Sequence, residues 1–343
     1  MARRILWASL ALAPATLAVD LAVHPSEVVL FVLAAASLIP LAWLIGETTE
    51  HAAEHTGPGV GGFLNASFGN AHELIIALFA VGDSLPQVVR GSLAGSVISN
   101  LLLVFGVTQV VGPEKPIDRP SLVAQLGLVA VAVVLFVAPA VVGYTGRPER
   151  HAAVVVSIPV AIVLLALYLG VTGRNLHSHR RLPRLEPAVS AWPLPVALAV
   201  LAATTVATAV VSEILVHSLQ GFAKSVGASE FFIAAVIVAI VGNAAEHGGA
   251  VVIARAGKMK LASEIAISSS AQVGLLVVPV VMLLSLLFAH PLPLSFRWEE
   301  LVAMAGAVAL AGATIADGRT KRWEGALLIL AYAGVVAGFA VAG

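Results

Sequence analysis

Apolar runs of roughly 20 residues follow one another through almost the whole chain, separated by short polar breaks. An α-helix of that length spans the roughly 30 Å of bilayer hydrocarbon, so each run predicts a transmembrane helix. Eleven spans fit, at about 5–23, 27–54, 60–82, 86–111, 119–142, 150–172, 193–219, 228–255, 260–289, 297–316 and 323–342. The breaks carry turn chemistry: His24-Pro25-Ser26, Gly57-Pro58-Gly59, Gly112-Pro113, Gly146-Arg147-Pro148 and Asp317-Gly318. The period-two alternation of a membrane β-barrel is missing. The expected fold is an all-α polytopic membrane protein with about 11 transmembrane helices.

Composition agrees. Of the 343 residues, 59% are hydrophobic and 11% charged, against about 25% charged in a soluble domain; the mean hydropathy is +0.99. The 19 basic and 19 acidic residues balance, which gives no argument for a nucleic-acid partner. The absence of cysteine excludes disulfides, iron–sulfur clusters and cysteine-ligated zinc. The apolar stretch after Arg3 and Arg4 continues to about Val23 without a persuasive cleavage site, so a retained first helix is expected. With the N-terminus in the cytoplasm and sides alternating, 14 of the 19 basic residues fall on the cytoplasmic side and 5 on the other, as positive-inside asymmetry requires.

The longest polar stretch divides the chain into a leading helix (1–24), a first five-helix group (25–172), a basic cytoplasmic linker (173–192) and a second five-helix group (193–343). Because five is odd, the two groups enter the membrane from opposite sides and form an inverted repeat. The repeat is visible without a gap. At an offset of 173, Gly69, Asn70, Ala71 and Glu73 meet Gly242, Asn243, Ala244 and Glu246, and Ser96 meets Ser269. Small residues nearby, Gly91, Ser92, Gly95 and Ser99 in one half and Ser263, Ser268 and Ser270 in the other, permit close backbone approach.

A carboxylate within a membrane span is expensive and therefore marks a functional site. Within each motif the Asn and Glu are three residues apart and share a helical face. Ser96 and Asn100 are four apart, and Ser269 and Gln272 three, so each pair also shares a face. Glycine at 69 and 242 permits a break that exposes carbonyls. Carboxylates, amides, hydroxyls and carbonyls make an all-oxygen set that suits Ca²⁺, Mg²⁺ or Mn²⁺, with Ca²⁺ favoured. Two ionised carboxylates left empty would cost several kcal/mol to occlude. A site that closes only when neutralised must carry something in both directions, which points to exchange of a divalent cation for protons.

These residues resemble the cation/proton exchanger family of the calcium/cation antiporters. The likeness runs through Leu64–Ile76 with Gly69-Asn70-Ala71-His72-Glu73 at its centre, then Gly95–Leu102, Val241–His247 and Ser268–Gln272. It implies a secondary antiporter working by alternating access, with two pseudosymmetric halves after one extra helix and a cation site at the membrane midplane. It also implies that Glu73 and Glu246 bind metal or protons, lined by Asn70, Asn243, Ser96, Ser269 and Gln272. Carbonyls near Gly69 and Gly242 would add to the site, Asn100 is a weaker candidate, and Glu50 and Glu213 resemble positions used for ion access. No cofactor is implied beyond the transported Ca²⁺ and H⁺. His72 occupies a variable place in the motif, and Ser268 stands where glycine is usual. The linker is basic where many relatives are acidic, which suits contact with lipid headgroups rather than calcium regulation. In the absence of organellar targeting and long hydrophilic tails, a bacterial inner membrane is expected.

Other readings stand beside this one. Sodium-coupled calcium exchange is the nearest, although that branch prefers hydroxyl-rich motifs where this chain has Asn70 and Asn243. A passive channel conflicts with the neutralisation argument. His51-Ala52-Ala53-Glu54-His55 matches the H-x-x-E-H signature of a zinc hydrolase, which needs a third ligand and an open water position.

Overall fold

The computed structural model describes residues 2–23, 25–144, 151–179 and 192–342, with backbone alone at 2–3, 56–67, 144, 175–179 and 342. The protein is an all-α multi-pass membrane protein. Among the described residues nine helices are long and apolar enough to cross a bilayer, or ten with Glu230–Gly242 and Ala244–Arg255 taken as one span bent by 56°.

The chain forms two compact units. One comprises Met1–Phe79, Ala166–Gly227 and Val241–Ala245. Its core is the Glu27–Gly69 helix packed along Leu194–Val226. Buried residues recur on the first at Phe31, Ala34, Leu38, Leu41, Ile45, Thr48 and Ala52, and on the second at Ala197, Leu201, Thr204, Thr208, Val211, Leu215 and Ser218. Alternating steps of three and four residues make heptad seams, the arrangement that lets neighbouring helices interdigitate. Phe31 stacks on Phe222 with ring centroids 4.2 Å apart. The Leu12–Val23 helix joins through a 2.9 Å hydrogen bond between the hydroxyls of Thr16 and Ser37.

The other unit comprises Ala80–Leu165, Ala228–Ile240 and Glu246–Gly343. At its centre the Pro86–Ile98 helix is buried on every face from Val88 onward, the signature of a helix surrounded by protein rather than lipid. It packs against the π-helical segment Ile233–Val238. A β-carbon at Gly95 would overlap the Ala235 backbone, so glycine is required for this approach. The Arg119–Tyr144 helix packs on Met259–Gln272 and Trp298–Ile315, and Arg322–Ala342 packs on Phe105–Val111.

The repeat read from the sequence reappears in the secondary structure. The same offset of 173 carries the helix Ala71–Gly82 onto Ala244–Arg255, and the start at Pro86 onto Met259. Each of the latter helices passes into a π segment, Ser99–Val104 and Val273–Val277. Asn70 and Asn243 both interrupt their helices.

Loops also pair with one another. Ile117 N–H donates to the Gly318 carbonyl and Thr320 N–H to the Lys115 carbonyl, both at 3.0 Å. The Lys115 ammonium donates to the Gly257 carbonyl at 3.1 Å. Three loops assigned to one side thus meet. At the other end, the loops around Ser84 and His290 and the start of the His151–His179 helix line one cavity of about 540 Å³.

Three details differ from expectation. The leading span divides into Ala2–Ser9 and Leu12–Val23. The break expected at Gly57-Pro58-Gly59 is absent: one helix runs from Glu27 to Gly69 and the interruption falls at Asn70. A proline removes only one helical hydrogen bond, and membrane helices tolerate this, as Pro139 and Pro159 do in other helix interiors. The expected span 60–82 is accordingly divided between the end of that helix and Ala71–Gly82. Finally, the helix from His151 continues to His179, into the expected linker, of which 180–191 lie outside the described residues, as do His24 and the expected break at 146–148.

Candidate cation site

In the first unit, the chain leaves the helix at Asn70 and re-enters it at Ala71, which puts Glu73 in the first turn of a new twelve-residue helix. Asn70, His72, Glu73 and Asn243 are all buried. The Asn243 side-chain amide donates to Glu73 Oε1 at 2.8 Å across 170 residues of sequence. The asparagine of the second motif therefore holds the glutamate of the first. Gly242 is buried, and a β-carbon there would come within 3.3 Å of the His72 ring.

In the second unit, Glu246 occupies the first turn of Ala244–Arg255 and is partly buried. It accepts a short hydrogen bond from the Ser269 hydroxyl. Ser96 and Asn100 are almost fully buried, one on the last turn of Pro86–Ile98 and the other in the π segment that follows. Insertions of this kind recur at functional sites because they re-aim side chains and release backbone groups. Gln272 ends the Met259–Gln272 helix and is partly buried. Within the first unit Asn70 and Asn243 stand at helix breaks; within the second, Ser96 and Gln272 precede the π segments and Asn100 lies inside one, and all of these side chains carry oxygen.

Sequence reasoning missed one contact. His247 Nε2 lies 3.1 Å from Asn100 Oδ1, so the weaker candidate Asn100 is tied to the residue following Glu246. The available signal was a histidine next to the second glutamate, with no equivalent in the first motif. Glu50 and Glu213 are exposed, unlike the other candidates, which are buried or partly buried. Glu213 lines a cavity of about 340 Å³ with Asp20, Glu27 and His217.

Both histidines of the H-x-x-E-H stretch meet Trp192. His51 stacks on Trp192 at 4.8 Å and lies 3.7 Å from Glu47, while His55 Nε2 is 2.7 Å from the Trp192 carbonyl oxygen. No group of three or more His, Cys, Asp or Glu side chains that could hold a metal ion occurs among the described residues.

The chain belongs to the sodium/calcium exchanger protein family, whose pattern matches residues 26–175 and 196–341. It is 39% identical over 330 residues to the Ca²⁺/H⁺ antiporter ChaA of Bacillus subtilis (strain 168), covering 92% of this chain and 93% of that one. It is 34% identical over 336 residues to a Ca²⁺/H⁺ antiporter of Aphanothece halophytica, covering 90% and 89%. The solved structure of native YfkE matches with a TM-score of 0.85 at 36% identity, over 98% of this chain and 99% of that one.

Proposed function

We propose that this protein is a secondary antiporter that exchanges Ca²⁺ for H⁺ by alternating access, with Glu73 and Glu246 as the groups that take up either the metal or protons. One observation carries the reading. Each carboxylate stands in the first turn of matching twelve-residue helices, directly after a broken Gly-Asn step, and each receives a hydrogen bond from a neutral side chain. Carboxylates buried, or partly buried as Glu246 is, and held by neutral donors keep a charge that only a cation or a proton can cancel, so the empty ionised state resists occlusion. The relatives named as Ca²⁺/H⁺ antiporters support this pair of substrates.

Asn70, Asn243, Ser96, Ser269 and Gln272 supply neutral oxygens to the cation, together with carbonyls near Gly69 and Gly242. Flexible oxygen ligation of this kind favours Ca²⁺ over the smaller, stricter Mg²⁺. Glu50 and Glu213, being exposed, serve ion access. The repeats 25–172 and 193–343 are the moving halves, and the basic segment 173–192 lies on the cytoplasmic side, as does the N-terminus. The membrane is a bacterial inner membrane.

The test is ⁴⁵Ca²⁺ uptake into proteoliposomes under an imposed pH gradient, with a Na⁺ gradient as the comparison. Uptake driven by pH alone is the expected result. Uptake driven by Na⁺ and not by pH would replace the proposal with sodium-coupled exchange.

A further inference from the structure

A strongly charged surface lies on the second unit, at the loops 112–119, 255–260 and 316–322. Together these loops hold eight basic and three acidic residues. Hydrogen bonds tie them to one another. Besides the contacts of Lys115 with Thr320 and Gly257, the Arg322 N–H donates to Glu114 Oε1 at 3.2 Å, and Pro116 and Arg319 form an isolated β-bridge.

The acidic side chains are engaged within the loops. Asp317 pairs with Lys321 and accepts the Arg319 N–H, Asp118 accepts the Ser121 N–H, and Glu114 accepts that of Arg322. Lys321 also pairs with Glu324. By contrast, Lys115, Arg119, Arg255, Lys258, Arg319 and Arg322 are exposed, and none of them is ion-paired among the described residues. Six free cations on loops tied together sum to a positive potential that attracts an anion.

The position of the loops says which anion. They join Phe105–Val111 to Arg119–Tyr144, Ala244–Arg255 to Met259–Gln272, and Trp298–Ile315 to Arg322–Ala342, all parts of membrane-spanning segments. The cations therefore stand at the hydrocarbon boundary, at the level of lipid phosphates. Trp323 follows Arg322 and is 63% exposed, as suits an indole lying among headgroups.

We propose that these three loops form a docking surface for anionic phospholipid, with cardiolipin the best match, because its two phosphates can meet cations on separate loops. The proposal does not depend on the exchange reading.

The experiment titrates the purified full-length protein with cardiolipin and with phosphatidylcholine and counts bound lipid by native mass spectrometry. Cardiolipin is expected to bind at least about tenfold more tightly, and equal binding would overturn the proposal. The triple variant Lys258→Gln, Arg319→Gln, Arg322→Gln is expected to lower that preference about tenfold. Lys224→Gln, an exposed lysine of the first unit, should leave it unchanged. Loss of the preference in both proteins, or in neither, would overturn the proposal. A second measurement needs no variant: the thermal unfolding midpoint in detergent is expected to rise with cardiolipin and not with inorganic phosphate or polyglutamate at equal charge. An equal rise with either, or none with cardiolipin, would overturn the proposal. No readout uses transport, so failure of pH-driven Ca²⁺ uptake counts against the exchange reading alone.

Discussion

A glutamate buried away from water holds its charge only if neighbouring dipoles are already aimed at it. Asn243 does this for Glu73 and Ser269 does it for Glu246. Removing one partner of a buried, charged hydrogen bond costs about 1–3 kcal/mol, or roughly five- to 150-fold in an equilibrium constant. Asn243→Ala is therefore expected to raise the KM for Ca²⁺ by at least about fivefold. Ser269→Ala should weaken cation affinity by a similar factor while turnover persists, because the carboxylate itself remains. Concentration series of Ca²⁺ uptake, normalised to inserted protein, separate KM from kcat; an unchanged KM in both variants would contradict these assignments. The residues concerned stand out in the sequence because polar groups in register are conspicuous against an apolar background. The contact between His247 and Asn100 does not stand out, since Asn100 faces Val273 at the repeat offset and nothing in the chain pairs positions 147 apart.

Along the helices, the breaks matter as much as the spans. The interruptions at Asn70 and Asn243 and the π segments at Ser99–Val104 and Val273–Val277 recur at one spacing. A duplicated irregularity of this kind is what the proposed ligand role asks of both motifs, whereas the π segment Ile233–Val238 has no counterpart at that spacing. Sequence pattern located most of the spans, because length and hydropathy suffice for that, but not the division of 60–82 at Asn70. It did not reveal the heptad seams of Glu27–Gly69 and Leu194–Val226, because a helix that is apolar on every face shows no contrast between its packed and lipid-facing sides. Nor did it find the continuation through Pro58, since proline reads as a stop in water and is tolerated in a membrane helix. Close backbone approach gives a sharp test. Gly95→Val must push against the Ala235 backbone and is expected to cost about 1–3 kcal/mol or more, whereas Gly127, with open space where a β-carbon would go, should accept valine with little change. Thermal unfolding midpoints in detergent compare the two; equal midpoints would contradict the packing described.

Across the molecule as a whole, the positive-charge asymmetry and the loop pairing are independent observations that agree. Counting charges puts the loops around Lys115, Gly257 and Gly318 on one side; backbone hydrogen bonds join the first to the third, and the Lys115 ammonium joins it to the Gly257 carbonyl. Since the chain has no cysteine, single cysteines can be labelled without background. Glu114→Cys and Asp317→Cys should react with an impermeant maleimide from one side, and Asp83→Cys and His290→Cys from the other. Mixed accessibility within either pair would break the topology. The exchange reading itself is tested most directly by proton release. External Ca²⁺ added to proteoliposomes loaded with a pH-sensitive dye is predicted to drive protons out of the lumen in the wild type, and to drive none in Glu73→Gln or Glu246→Gln protein that inserts normally. Proton release at the wild-type rate in either variant would contradict the account.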